Sequence, residues 1–246
     1  MKPLFLITND DGYQSKGIRA LIEVACQMGD VVVVAPKSNA SGLAHSLTSS
    51  RPLRVVPVEQ KDGFALYRCD GTPVDCVKIG HEFFTPRTPD LVLSGINHGS
   101  NSSINVLYSG TMGAVLEATL CGLTAVGFSL LDHSADADFE PVKPWVRQVV
   151  ERVLEKGLPE QVALNVNFPT GKIEGLKLCR QSNAKWLDSY ERRIDPRGIP
   201  YYWLTGRFEC SDNGPGTDQW ALEHGYASVV PTTTDLTGKL DPDFLN

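Results

Sequence analysis

Along the first 170 positions the apolar residues gather in short unbroken runs. These are LFLIT at 4–8, VVVVAP at 31–36, LVLSG at 91–95, TAVGFSL at 124–130 and LNVNFP at 164–169. Runs of this length and composition predict strands buried on both faces, as in a parallel sheet. Between them the apolar positions change to helical spacing. Ile18, Leu21, Ile22 and Ala25 predict a helix over 16–28, with Gly29 at its C′ position. Met112, Val115, Leu116 and Thr119 predict another before Gly122, and Val142, Trp145, Val146, Val149 and Val153 a third over 142–156, ended by Gly157. Thr72 and Pro73 suit an N-cap and a first helical residue, so Asp75 serves either the positive helix end or a function. Strand and helix in alternation predict a Rossmann-like α/β fold, a mostly parallel sheet with helices on both faces.

Past residue 180 that rhythm stops. Residues 181–220 are rich in Arg, Asp, Gly, Pro and aromatics but hold no sustained period. The expected division is a catalytic core at 1–180 and an extended β-hairpin arm with the C-terminal segment at 181–246. An arm of this kind needs another surface, such as a second subunit's, to cover Tyr201, Tyr202, Trp203 and Trp220. A homo-oligomer is therefore expected.

Composition narrows the partners. The 246 residues carry 23 Lys plus Arg against 29 Asp plus Glu, a formal charge of -6, which argues against nucleic-acid polymers and anionic membranes. No apolar run approaches the roughly 18 residues of a membrane span, and Met1-Lys2-Pro3 leads into a strand instead of a signal-like segment. The expected location is the cytoplasm. Six scattered cysteines without a CxxC, most of them inside apolar or helical patterns, favour buried free thiols over disulfides or a zinc site.

In open parallel sheets ligands bind beyond the carboxyl ends of the strands. Three polar loops fall there: NDDG at 9–12, KSNASGLAHS at 37–46 and GINHGSN at 95–101. Asp10 and Asp11 would point to opposite faces of a continuing strand, but a turn at Gly12 lets both carboxylates converge. Converging carboxylates raise each other's pKa unless a cation lies between them, and oxygen donors suit Mg²⁺ or Mn²⁺. A plain Asp-Gly turn is the competing reading. His45 and His98 lack metal-ligand spacing and read as local hydrogen-bonding residues. A second motif, SGTMG at 109–113, opens a helix. There Ser109, Gly110 and Thr111 form either a simple cap or an anion site. A metal beside a phosphate cradle points to phosphoryl chemistry.

The motifs TNDDG, the serine loop at 38–46, GTPVDCV, SGINHGSN, YSGTMGAVLEA, LNVNFP, GPGTD and GYASVVP occur in this order between residues 3 and 237. In that order they resemble the SurE family of survival proteins. The resemblance implies a metal-dependent phosphatase on a Rossmann-like core, acting on nucleoside 5′- and 3′-monophosphates and in some members on short polyphosphate. It also implies dimers or tetramers built through C-terminal extensions. The family's metal ligands fall on Asp10, Asp11, Ser41 and Asn97, which would hold one divalent ion per subunit. In the mechanism this suggests, Asp10 also orients the attacking water as base, and Asn9 joins Ser109, Gly110 and Thr111 in holding phosphate oxygens. The alternative is a non-catalytic nucleotide-binding Rossmann domain, whose dinucleotide form is weakened by the missing GxGxxG. Adjacent acids, in place of DxD, argue against an aspartate-nucleophile phosphatase.

Overall fold

The computed structural model describes residues 2–241 and Phe244. Strand β1 (Leu4–Thr8) is buried along its whole length and sorts its side chains by parity. Phe5 and Ile7 join one core, while Leu4 and Leu6 join the other. This is why an unbroken apolar run is required of a central strand. Helices α1 (Lys16–Cys26) and α4 (Lys143–Lys156) cover the first face through Ile18, Leu21, Val24, Val146, Val149 and Val150. Helices α2 (Pro73–Ile79) and α3 (Gly110–Leu120) cover the second through Cys76, Val77, Met112 and Val115.

The sheet also contains β2 (Asp30–Pro36), β3 (Val55–Lys61), β4 (Phe64–Cys69), β5 (Leu91–His98), β6 (Ala125–Leu130), β7 (Val162–Phe168), β8 (Gly175–Leu178) and β11 (Tyr226–Thr233). Their order is β3-β4-β2-β1-β5-β6-β7-β11-β8. Strands β4, β2, β1, β5, β6 and β7 run parallel, as does β8 to β11, whereas β3 and β11 pair antiparallel to β4 and β7. From β1 the connections leave in opposite directions, to β2 on one side and eventually β5 on the other, so the crevice above β1 and β5 is the topological switch point. The predicted Rossmann-like α/β class is the observed one.

Several boundaries differ from expectation for local reasons. Helix α1 stops at Cys26 with Gln27 as its cap, short of the predicted residue 28. Gly29 is needed because a Cβ there would lie 2.2 Å from the Pro3 carbonyl oxygen, not as a C′ residue with positive φ. Strand β5 runs on to His98, three residues past the predicted end, with a register irregularity against β6 between Ser94 and Asn97. Asp75 proves to be structural: it accepts from the Thr72 backbone N–H at 2.8 Å while the Thr72 hydroxyl accepts from the Asp75 N–H, closing a capping box. All six cysteines are free; Cys69, Cys76 and Cys179 are buried, whereas Cys26 is exposed.

Beyond residue 180 the chain does two different things. Strands β9 (Ala184–Ile194) and β10 (Pro200–Cys210) form a separate antiparallel hairpin, exposed over most of both faces. The chain then returns to the main body through α5 (Asp218–Glu223) and β11. Trp220 belongs to this returning segment, where its ring stacks on His224 with centroids 3.9 Å apart.

Candidate active site

At the end of β1 the backbone turns sharply, with Gly12 at φ +99°. Asn9 holds this turn from inside. It is fully buried, and its side-chain amide donates to the Gly12 carbonyl at 3.0 Å and the Ser15 hydroxyl at 2.9 Å. Asp10 is 3% exposed and receives the Thr111 hydroxyl at 2.6 Å. Its backbone carbonyl takes the Ala40 N–H at 2.7 Å, tying the loop after β2 to the loop after β1. Asp11 is half-buried and accepts from the His98 backbone N–H at 3.2 Å, which ties in the end of β5.

Both carboxyl groups are held above the ordinary range for aspartate. Burial is the main cause for Asp10, helped by the neighbouring Asp11 charge and opposed by the Thr111 hydrogen bond. Burial also raises Asp11, against the His98 backbone N–H. Two adjacent carboxylates made costly in this way are what a bound cation would relieve.

Asn97 adds a directed oxygen. It is 8% exposed, and its amide nitrogen donates to the carbonyls of Gly99 at 2.8 Å and His98 at 3.2 Å. With its nitrogen fixed by those bonds, its carbonyl oxygen is left available as an acceptor. Ser41, on the loop after β2, has its backbone N–H held by Asn39 at 2.7 Å and its side chain exposed. Two carboxylates, an amide oxygen and a hydroxyl form an all-oxygen donor set, which fits a hard divalent ion. Among the described residues no three or more His, Cys, Asp or Glu side chains are grouped so as to hold a metal ion.

Helix α3 begins against this set. Ser109 is its N-cap, accepting from the Met112 N–H at 3.0 Å. A Cβ on Gly110 would meet the Asp10 Cβ at 2.8 Å and Oδ2 at 2.9 Å. The glycine therefore admits the Asp10 side chain itself to the helix start, where the positive end of the helix favours a carboxylate. The Thr111 hydroxyl is spent on that same carboxylate.

A cavity of about 810 Å³ is lined by most of these groups, though not by Asp11. Asp10, Ser41, Asn97 and Ser109 all line it, while Asn9, Gly110 and Thr111 are buried beside its wall. His98 also lines it, with its ring Nδ1 3.1 Å from the Ser134 carbonyl. His45 pairs with Glu117 on α3 at 2.8 Å. The hairpin also lines it, through Trp186, Asp188 and Leu204.

Residues that the sequence reading missed hold the floor of the site. The Asn101 backbone N–H donates to Asn167 Oδ1 at 2.8 Å, and its side-chain amide donates to the Ser129 hydroxyl at 2.8 Å. Asn165 donates to the Asn101 carbonyl, and Asn167 to Asn165, each at 2.8 Å. Asp218 receives the Ser103 and Ser182 backbone N–H groups at 2.7 and 3.0 Å. One signal was present: Asn165 and Asn167 stand two apart in an apolar strand, on one face of the sheet.

Comparison with known proteins identifies the family. A family model described as Survival protein SurE matches residues 5–188. The protein named 5′-nucleotidase SurE of Cytophaga hutchinsonii is 51% identical over 252 residues, covering 99% of this chain and 97% of that one. Its namesake from Christiangramia forsetii is 53% identical over 241 residues, covering 96% and 93%. The crystal structure of the SurE protein from Aquifex aeolicus superposes with a TM-score of 0.82 at 40% identity, covering 96% of this chain and 95% of that one. With more than half its length matched by the family model and relatives aligned nearly end to end, this chain belongs to the SurE family.

Proposed function

We propose that this nucleotidase uses one divalent ion, Mg²⁺ or Mn²⁺, to hydrolyse nucleoside 5′- and 3′-monophosphates to nucleoside and phosphate. Nucleotidase activity follows from the full-length relatives named for it. The single observation that carries the metal is the pair Asp10 and Asp11, two burdened carboxylates beside an amide oxygen held free at Asn97. Asp10, Asp11, Ser41 and Asn97 would hold the ion, which supplies Lewis-acid stabilisation of charge on the phosphoryl oxygens.

The chain's own groups do the rest. Ser109 presents a hydroxyl whose oxygen already accepts from the helix, so its proton is free to meet a phosphate oxygen beside the Gly110 N–H. Asn9 and Thr111 support the same phosphate site by fixing the turn and the Asp10 carboxylate. Asp10 orients the attacking water as base.

The same reading extends to assembly. Tyr201, Tyr202, Trp203 and Leu204 are 40–61% exposed on a two-stranded hairpin, leaving large apolar side chains open on both of its faces for a partner to cover. A homodimer or homotetramer formed through this arm accounts for it. No helix among the described residues is long and apolar enough to cross a membrane. A cytoplasmic setting agrees with the free thiols.

The test is hydrolysis of nucleoside monophosphates and p-nitrophenyl phosphate before and after EDTA. Activity should vanish with the metal and return with Mg²⁺ or Mn²⁺. Full activity in verified metal-free protein would remove the ion from the mechanism.

A further inference from the structure

We infer that the base of the hairpin is the nucleobase subsite, with Trp186 as the stacking platform and Asp188 as an acceptor that selects guanine. The inference rests on the nucleotidase reading and deepens it.

The cavity lining is chemically divided. One part is the oxygen-rich set Asp10, Ser41, Asn97 and Ser109; the other is supplied by the hairpin. A nucleotide whose phosphate occupies the first must place its nucleoside toward the second. There the Trp186 ring is fixed on two sides. Its Nε1–H donates to Asn105 Oδ1 at 2.8 Å, and its flank meets the Phe208 ring edge-on, with centroids 5.6 Å apart and planes at 67°. The ring nevertheless stays 41% exposed and lines the cavity. An indole pinned at its polar edge and one flank, yet open to a cavity, is a preorganised surface for a planar ring. Asn105 lies in the 3₁₀ turn Ser103–Leu107 just before α3, so the platform is tied to the helix whose start borders the phosphate end.

Asp188 follows two residues later on β9. It faces the same side of the strand, about 6.8 Å further along. Its cross-strand neighbour is Gly206, which has no side chain to cover it. Among the described residues the carboxylate has no hydrogen-bond or ion-pair partner, and it lines the cavity. A lone carboxylate repels phosphate, so its place is at the other end of the substrate. Of the common bases, guanine presents two adjacent donors, N1–H and N2–H₂, to a carboxylate. Adenine and cytosine each set an acceptor beside their amino group, and uracil flanks its N3–H with two carbonyls. The carboxylate therefore favours guanine by geometry and penalises the others by repulsion.

The experiment compares kcat/KM for GMP, AMP and ribose 5-phosphate, with GMP binding measured by calorimetry in EDTA. In Trp186→Ala both nucleotides should fall roughly 5- to 150-fold, the span of one base stacked on one aromatic side chain, while ribose 5-phosphate stays within about twofold. Trp186→Phe should keep most of the nucleotide rate, and matched thermal melting of the two variants shows that folding is not the cause. In Asp188→Asn the GMP-to-AMP ratio should drop by roughly 5- to 150-fold. If Trp186→Ala slows ribose 5-phosphate as much as GMP, or if Asp188→Asn leaves the ratio unchanged, the subsite is overturned. A wild-type enzyme that cleaves ribose 5-phosphate but no nucleotide would overturn the nucleotidase reading itself, a result read without any variant.

Discussion

Replacing Asp11 by Asn separates what the acidic pair does for the metal from what it does for the fold. Asn is nearly isosteric, and its side-chain oxygen can still accept the His98 backbone N–H that Asp11 accepts at 3.2 Å. The change is therefore close to a pure loss of charge. Two charges about 4 Å apart repel by about 1 kcal/mol in water and about 4 kcal/mol at an effective dielectric near 20. Asp10 is buried and Asp11 half-buried, so the pair falls between those limits. Both carboxyls have raised values in the fold, which means ionisation costs more there than in the unfolded chain. That penalty is absent below the unfolded value near 3.9, grows as pH rises through the folded values, and is complete above them. In EDTA near pH 7 the variant should therefore melt higher than wild type, at about 2 to 4 °C per kcal/mol for a chain of this size. With Mn²⁺ the order should reverse. Ligand at about 100 times its Kd adds about 2.7 kcal/mol to wild type, a gain the variant should largely forfeit along with phosphatase activity. Differential scanning fluorimetry of both proteins in EDTA and in excess Mn²⁺ reads all four states. An unchanged Mn²⁺ shift in the variant would refute Asp11 as a ligand, and a much lower melting point in EDTA would show the acid to be structural.

Three other perturbations probe the frame around the pair. Gly110→Val places branched carbon where the Asp10 side chain lies, 2.8 Å from a Cβ, so activity should fall about 100-fold or more and the Mn²⁺ melting shift should shrink; a normal shift would free the glycine from this role. Asn167→Ala leaves the buried Asn101 N–H without its acceptor, and should cost about 1 to 3 kcal/mol of stability by urea denaturation; no loss would show that the site floor is held by other means. Replacing residues 187–207 with a short Gly-Ser turn should yield monomers in sedimentation velocity, and an unchanged oligomeric mass would remove the hairpin from the assembly.

The parallel core was legible because burial on both faces forces continuous apolar runs, as in β1, β2 and β6. Where a strand escapes that requirement, its signal disappears. Strand β3 reads VVPVEQK and is mostly exposed, because it is the edge of the sheet and pairs only with β4; Pro57 and a register shift after it are tolerated there. Strand β11 contains Pro231, which breaks the strand pattern in sequence. In the sheet Pro231 lies beyond Val229, the last residue of β11 paired with β8, on a stretch where, among the described residues, β11 pairs with β7 alone.

The acidic pair was legible because its two carboxylates are adjacent in sequence and sit at a strand end. The rest of the site depends on segments brought together only by packing, and α3 is where they meet. Its start receives Asp10 over Gly110. One turn on, a Cβ at Gly113 would lie 2.7 Å from the Ala44 carbonyl oxygen, so this glycine lets the serine loop lie against the helix. One turn further, Glu117 pairs with His45 of that loop and with Lys78 of α2. Together these partners draw the carboxyl below its ordinary value despite its burial. The spacing of Gly110, Gly113 and Glu117 thus follows one face of a helix that fixes both Asp10 and the loop carrying Ser41. In sequence those three residues read only as parts of a helical pattern, because their partners are far off in the chain: Lys78 lies 39 residues from Glu117 and His45 lies 72.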